Sequence, residues 1–326
     1  MQQLTSETRI NGARPVLTVR DVSVRYDLDE ASILAVNGVS FDLNARETFA
    51  IVGESGSGKS TVALSLLGLV PVVGGEVELD GNRLTGMDAT ALAKIRGSKI
   101  AMIFQEPMTS LNPVLTVGFQ LTEAIRLHTD MGRRAARDHA AKMLGRVGIS
   151  DAERRLRQYP HELSGGMRQR VMIATALSCS PAVLVADEPT TALDVTVQAQ
   201  VLALIDQLRD EFGTAVVLIT HDIGVVAETA DRIAVMYAGR IVEEAPTAAL
   251  FADPRELYPR AARLGPPGRS RSRWQADAHN GRQRAVDAEL ARRLSFPSSL
   301  CAGDGDMQVG TAGPNRDAAH GEVLAL

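Results

Sequence analysis

Apolar and polar residues alternate from Val16 to Tyr26 (Leu17, Val19, Val22, Val24), which predicts a β-strand. Val36–Leu43 repeats the pattern, and Glu47–Val52 is a more continuous apolar run leading into glycine-rich sequence, a buried strand. Thr61–Leu69 then predicts a helix, Gly75–Leu79 a short strand closed by Asp80-Gly81, and Ile100–Phe104 another strand. From Val117 to about Gly148, Ala and Arg dominate and β-branched residues are few, a helical composition. A turn at Tyr159-Pro160 precedes a helix running to about Ser178, and Val183–Ala186 is a continuous apolar strand. Val197, Val201, Leu204, Ile205, Leu208 and Phe212 recur at helical spacing and make one buried face. Ala215–Thr220 and Arg232–Tyr237 read as two further strands. Strands alternating with helices predict an α/β sheet, with the helical block set between them as a separate lobe. No internal repeat is visible.

The pattern fails after about Ala262. Arg260–Arg293 holds nine arginines against three acids with little apolar periodicity, and Ala302–Gly321 is rich in Gly, Asp and Ala, so this tail reads as poorly packed and solvated. The 326 residues suffice for one large or two modest domains, and a formal charge of −4 gives no electrostatic case for nucleic acid as the main ligand. Cys179 and Cys301 lie far apart and unlike any metal spacing, consistent with a reduced, cytosolic chain. Met1 to Gly12 lacks the apolar core of a signal peptide, and runs such as Ala215–Ile219 fall far short of the ~20 apolar residues of a membrane-spanning helix.

Gly53-Glu54-Ser55-Gly56-Ser57-Gly58-Lys59-Ser60, between a strand and a helix, fits the phosphate-binding loop pattern. Its glycines let successive N–H groups point at phosphate oxygens, and the helix beginning near Lys59 adds its positive end. Lys59 is one of only four lysines among 35 basic residues, placed where a compact ammonium suits the β- and γ-phosphates. Ser60 is the candidate Mg²⁺ ligand, and Thr61 continues the loop into the helix. Asp187 and Glu188 end the strand Val183–Ala186, before Pro189. An isolated Asp-Glu pair is more often a solvated turn, but here Asp187 is placed to hold Mg²⁺ and Glu188 to orient and deprotonate water. His221 follows Ala215–Thr220 at the same sheet edge, where α/β proteins bind ligands. Gln105 ends Ile100–Phe104, a position from which its amide can sense Mg²⁺ or water. Tyr26 is a candidate adenine platform, with a half-buried strand tyrosine as the rival reading. Ser164 is a good helix N-cap, followed by Gly165 and Gly166, an anion site with no anion in its own loop.

Taken in order, these motifs resemble the ATP-binding subunits of ABC transporters over roughly residues 16–258: Walker A (Gly53–Thr61), Q-loop (Gln105), signature (Leu163–Gln169), Walker B (Val183–Glu188), D-loop (Ala192-Leu193-Asp194) and switch histidine (His221). The resemblance implies a P-loop NTPase core of ABC type with an antiparallel β subdomain and an inserted helical lobe at about 106–178, an N-terminal extension over 1–15 and a divergent tail over 259–326. It implies ATP and Mg²⁺ as cofactors, with Gln169 and Asp194 added to the nucleotide-contacting set and Ser60, Gln105 and Asp187 on the metal. In this family two such subunits pair head-to-tail, so Ser164 and Gly166 would grip the γ-phosphate in a partner's P-loop.

The finer resemblance is to peptide importers. Phe104–Pro113, Tyr159-Pro160-His161-Glu162 and Tyr237-Ala238-Gly239-Arg240 are similar to dipeptide and oligopeptide permease ATPases, and Met167 in the signature is similar to one of that branch's two different ATPases. The resemblance thus implies a heterodimer at the cytoplasmic face of the inner membrane, beneath two permease subunits served by an extracytoplasmic solute-binding protein. Nickel-chelate, glutathione and related importers share these residues, so cargo stays open. One departure stands out: Tyr258 and Arg260 echo the branch's aromatic-Thr-Arg segment, but the Cys-Pro-rich motif that follows it is missing and Cys301 stands alone. That fits a divergent or frameshifted tail and leaves an inactive subunit as an alternative. A soluble ABC ATPase acting on DNA or ribosomes is a further class, but two fused cores, a long coiled coil or zinc cysteines are absent from the sequence.

Overall fold

A computed structural model of the chain describes residues 14–27, 32–105, 110–190 and 195–252. The expectations for the N-terminal extension as far as residue 13, the Q-loop segment 106–109, the D-loop with Asp194, and the tail lie outside the described residues.

Two sheets carry the fold. An antiparallel sheet has the order β2-β1-β4-β5, from β1 (Leu17–Asp27), β2 (Ser32–Leu43), β4 (Val72–Leu79) and the short β5 (Asn82–Arg83). The central sheet has the order β10-β9-β3-β8-β7-β6. It comprises β3 (Thr48–Gly53), β6 (Ile100–Ile103), β7 (Val183–Asp187), β8 (Ala215–Thr220), β9 (Arg232–Tyr237) and β10 (Arg240–Pro246). All its pairings are parallel except β9 with β10. The helices are α1 (Lys59–Leu66), α2 (Ala89–Ile95), α3 (Val117–His128), α4 (Arg133–Arg146), α5 (Ala152–Arg155), α6 (Gly165–Leu177), α7 (Val195–Phe212), α8 (Ile223–Thr229) and α9 (Thr247–Ala252).

The central strands are buried on both sides, and their alternation sorts residues between two cores. Phe49 and Ile51 join Val183, Val185, Val217 and Ile219 in a cluster with α1 and the antiparallel sheet. Ala50, Val52, Leu184, Ala186, Val216 and Leu218 face the other way, into a cluster with α3, α4, α6 and α7. Each fully buried Phe or Ile contributes about 1.5–3 kcal/mol, so the sheet is fixed from both faces. The expected strands are present within a few residues; β2 starts earlier, at Ser32, and the helical stretch from Val117 breaks at Thr129 into α3 and α4. α2, capped by Asp88 accepting from the Ala91 N–H, and the edge strand β10 were not anticipated. Among the described residues no helix is long and apolar enough to cross a membrane. The parallel topology brings the C-terminal ends of β3, β7 and β8 to one edge, and the candidate chemistry collects there.

Candidate functional site

The loop after β3 is built for close approach to an anion. Gly53 leaves the strand with its missing Cβ position 2.2 Å from the Met236 carbonyl, so no larger residue fits there. Gly56 and Gly58 take φ of +80° and +102°, turning the backbone into α1, which starts at Lys59. Lys59 is only 6% exposed, and its Nζ donates to the carbonyls of Gly53 (2.9 Å) and Glu54 (2.8 Å). Burial lowers its pKa, opposed by the charges of Glu188, Asp187 and Glu54. The Ser57 hydroxyl is buried, 5% exposed, and has no hydrogen-bond partner among the described residues. A buried hydroxyl without a partner in a glycine-rich loop at a helix N-terminus fits a phosphate oxygen. The residues present therefore suit a nucleoside polyphosphate.

Next to this loop, β7 delivers two carboxylates with different surroundings. Asp187 is 4% exposed and accepts from the Ser60 hydroxyl at 3.2 Å. Burial, partly offset by that bond, raises its pKa from 3.8 to about 6, and the Glu188 charge adds to the rise. A second positive charge beside Asp187 would relieve this, and the hydroxyl-carboxylate pair is the oxygen donor set a magnesium ion takes. Glu188 has φ +46° while its N–H still bonds the Ile219 carbonyl at 2.8 Å. This left-handed kink at a residue with a Cβ turns the side chain away from that of Asp187. Glu188 Oε2 accepts from Gln105 Nε2 at 2.9 Å, and its Oε1 lies 3.1 Å from His221 Nδ1. Residues 105, 188 and 221, each just beyond the end of a different strand, thus meet on one carboxylate.

The signature residues stand apart. The Ser164 hydroxyl caps α6 by accepting from the Met167 N–H at 3.4 Å, and a Cβ on Gly165 would meet nothing within 4 Å. Both residues are exposed, so the N-terminus of a thirteen-residue helix opens outward. Among the described residues, none of the hydrogen bonds of Ser164 reaches the P-loop.

Two candidate ligand residues lie inside the fold. Gln169 is 2% exposed, and its Nε2 donates to the Pro189 carbonyl at 2.5 Å; five residues beyond Ser164 the helix has turned this side chain inward, where it ties α6 to the segment after Walker B. Tyr26 is 0% exposed within the antiparallel-sheet cluster, because β1 directs it, like Val22 and Val24, to the buried face. One feature escaped sequence reasoning. The turn at Tyr237-Ala238-Gly239 carries a backbone bond from the Gly239 N–H to the Ser57 carbonyl of the P-loop. In the sequence the Tyr237-Ala238-Gly239-Arg240 segment carried a family resemblance but no sign of this contact.

Known proteins match this geometry. The ABC transporter family model matches residues 36–191. The chain is 54% identical over 297 residues to the probable peptide ABC transporter ATP-binding protein y4tR of Sinorhizobium fredii, covering 88% of this chain and 89% of that one. Wherever that span starts, it reaches past Ala262. Identity is 52% to the oligopeptide transport ATP-binding protein AppD of Bacillus subtilis, over 74% of this chain and 76% of the other. It is also 52% to the glutathione import ATP-binding protein GsiA of Escherichia coli, over 76% of this chain and 41% of that protein. Among solved structures, the dimeric post-hydrolysis state of the ATP-binding cassette MJ0796 with ADP and Pi superposes with a TM-score of 0.65 at 32% identity, over 71% of this chain and 98% of that one.

Proposed function

This chain belongs to the ATP-binding subunits of the ABC transporter family, and from that premise we propose that it hydrolyses ATP to drive the import of peptides. The observation that carries the chemistry is the Glu188 carboxylate, held by Gln105 and His221 beside the Asp187–Ser60 pair and the P-loop. The identity to the peptide-transport proteins of Sinorhizobium fredii and Bacillus subtilis supports the cargo class.

Bound Mg-ATP supplies the phosphoryl group to be transferred and the metal that neutralises its charge. The chain's own residues do the rest. Lys59 would exchange the Gly53 and Glu54 carbonyls for β- and γ-phosphate oxygens, and backbone N–H groups of the loop would cradle the phosphates. Ser60 and Asp187 would hold the metal, whose charge would favour the ionised form of Asp187. Glu188 turns a water toward the γ-phosphate and takes its proton. His221 would fix the Glu188 carboxylate and steady the γ-phosphoryl group as it passes from the leaving ADP to water, and Gln105 would link that carboxylate to the segment leading into the helical lobe. The outward-facing helix end at Ser164–Gly166 finds a γ-phosphate in a second ATP-binding subunit. This pair works at the cytoplasmic face of the membrane beneath two permease subunits.

The test is reconstitution of the chain with a second ATP-binding subunit and a permease pair encoded beside it. Peptide-stimulated ATPase activity and peptide uptake are the expected result; ATPase without peptide uptake would sink the cargo assignment. Identity to the glutathione import protein favours glutathione as the second cargo, and competition between glutathione and di- to pentapeptides in the same vesicles decides between them.

A further inference from the structure

The P-loop is gripped from behind at two points by the hairpin of β9 and β10. At its start, the Met236 carbonyl lies 2.2 Å from where a Gly53 Cβ would be. Near its end, the Gly239 N–H donates to the Ser57 carbonyl at 2.9 Å. The Gly239 carbonyl in turn accepts from the Asn37 N–H of β2 at 2.8 Å. Neither of these two bonds belongs to a strand ladder; each joins a different element to the same turn.

The packing around Gly239 leaves no room for a side chain. Its φ is +82°, and a Cβ there would lie 2.8 Å from the Ala35 carbonyl oxygen. Gly58 meets the same oxygen: its φ is +102° and its Cβ would be 2.4 Å away. The Ala35 carbonyl therefore closely contacts two glycines, one in the P-loop and one in the turn, both in backbone conformations that side chains disfavour.

The chemical consequence follows from peptide planarity. The Ser57 carbonyl and the Gly58 N–H belong to one trans peptide, so they point in opposite directions. Whatever holds the carbonyl outward aims the N–H inward. We propose that Gly239 is a positioning residue for nucleotide binding: its N–H holds the Ser57 carbonyl and so aims the Gly58 N–H into the phosphate cradle, while its carbonyl locks that arrangement to the antiparallel sheet. The proposal rests on the reading that this loop holds the phosphates of ATP, and it adds a lever from β2 to the loop through a turn that contacts no ligand.

The test is calorimetric titration of the full-length chain with Mg-ATP, comparing Gly239→Ala and Gly239→Asn with Gly75→Ala. Gly75 is the matched control: its φ is +79° and its Cβ would lie 2.3 Å from the Arg20 and Asp21 carbonyls, within the antiparallel sheet. Both Gly239 variants should weaken ATP binding by about tenfold or more, as expected for one misaimed charge-assisted bond. Gly75→Ala should stay within about twofold of the unmodified chain while losing at least as much thermal stability. ATP affinity preserved in the Gly239 variants overturns the proposal, and so does an equal loss in Gly75→Ala, which would mark a global effect. An unmodified chain that does not bind ATP overturns the P-loop reading itself and this proposal with it. If the Gly239 variants do not fold, hydrogen exchange on the unmodified chain decides. ATP should slow exchange at residues 237–240 together with 53–60, and an unaffected turn refutes the coupling.

Discussion

Replacing Glu188 by Gln separates binding from chemistry in this site. The substitution keeps shape and one carbonyl oxygen, so a bond from Gln105 Nε2 or from His221 can persist, and the kinked backbone bond to Ile219 is untouched. What is lost is a proton acceptor and one negative charge. Loss of a positioned general base lowers turnover by about 10²–10⁴-fold, roughly 2.7–5.5 kcal/mol of barrier. Loss of the charge acts in the opposite sense on binding. Glu188 is among the groups that raise the pKa of Asp187, so its removal makes Asp187 easier to ionise, and one carboxylate fewer faces the phosphates. ATP affinity should therefore be unchanged or up to about tenfold tighter. Single-turnover hydrolysis in the assembled transporter, alongside equilibrium ATP binding, measures both. Turnover within tenfold of the unmodified enzyme would remove Glu188 from the base role. Weakened binding would show instead that its charge supports Lys59 more than it repels nucleotide.

Asp187→Asn should show a pH-dependent gain in stability without nucleotide. Because the folded pKa, about 6, exceeds the 3.8 reference, ionisation opposes folding; the penalty is absent below pH 4, grows between the two values and is complete above pH 6, reaching at most about 3 kcal/mol. Denaturant melts should thus favour the variant at pH 8 and not at pH 4, and an equal gain at both would contradict the burial argument. Tyr26→Leu keeps an apolar side chain at a fully buried position and should leave ATP affinity within about twofold with a stability loss of about 1–3 kcal/mol; a tenfold loss of affinity would return the ring to the adenine. Gln169→Leu removes the buried bond to the Pro189 carbonyl and should cost about 1–3 kcal/mol in urea melts, and a change under about 0.5 would show the tie to be dispensable.

What could be read from the sequence were features whose physics is local. The P-loop is a run of consecutive residues whose glycines state its backbone shape, and β3, β7 and β8 are apolar runs that need no partner to be recognised. The meeting of Gln105, His221 and Glu188 is not local: each side chain follows a different strand, and only the parallel order of β6, β7 and β8 brings them together. Placing all three at the C-terminal sheet edge was as far as spacing could go. Side-chain facing was harder still. The alternation through Val22 and Val24 carries Tyr26 to the core by the same rule that identified the strand, yet its chemistry suggested a ligand. Gln169 likewise has a ligand role only through its place in a motif, while the helical period from Ser164 turns it inward. The edge strand β10 escaped notice because its burial is shallow and its glutamates dilute the apolar signal.

The division of the core carries one more consequence. The cluster that holds α3 and α4 also holds α6, α7 and one face of the central sheet, so Val171, Ile173 and Leu177 serve the inserted lobe and the ATPase core at once. A lobe that shares its interior in this way is not a detachable module. Cut out as a peptide, it would expose the seam and fail to hold its helices; exchanged for the lobe of a relative, it would need matching residues on α7 and the sheet. Any tilt of the lobe against the core would have to shear along this shared seam, whose side chains lie far from the P-loop.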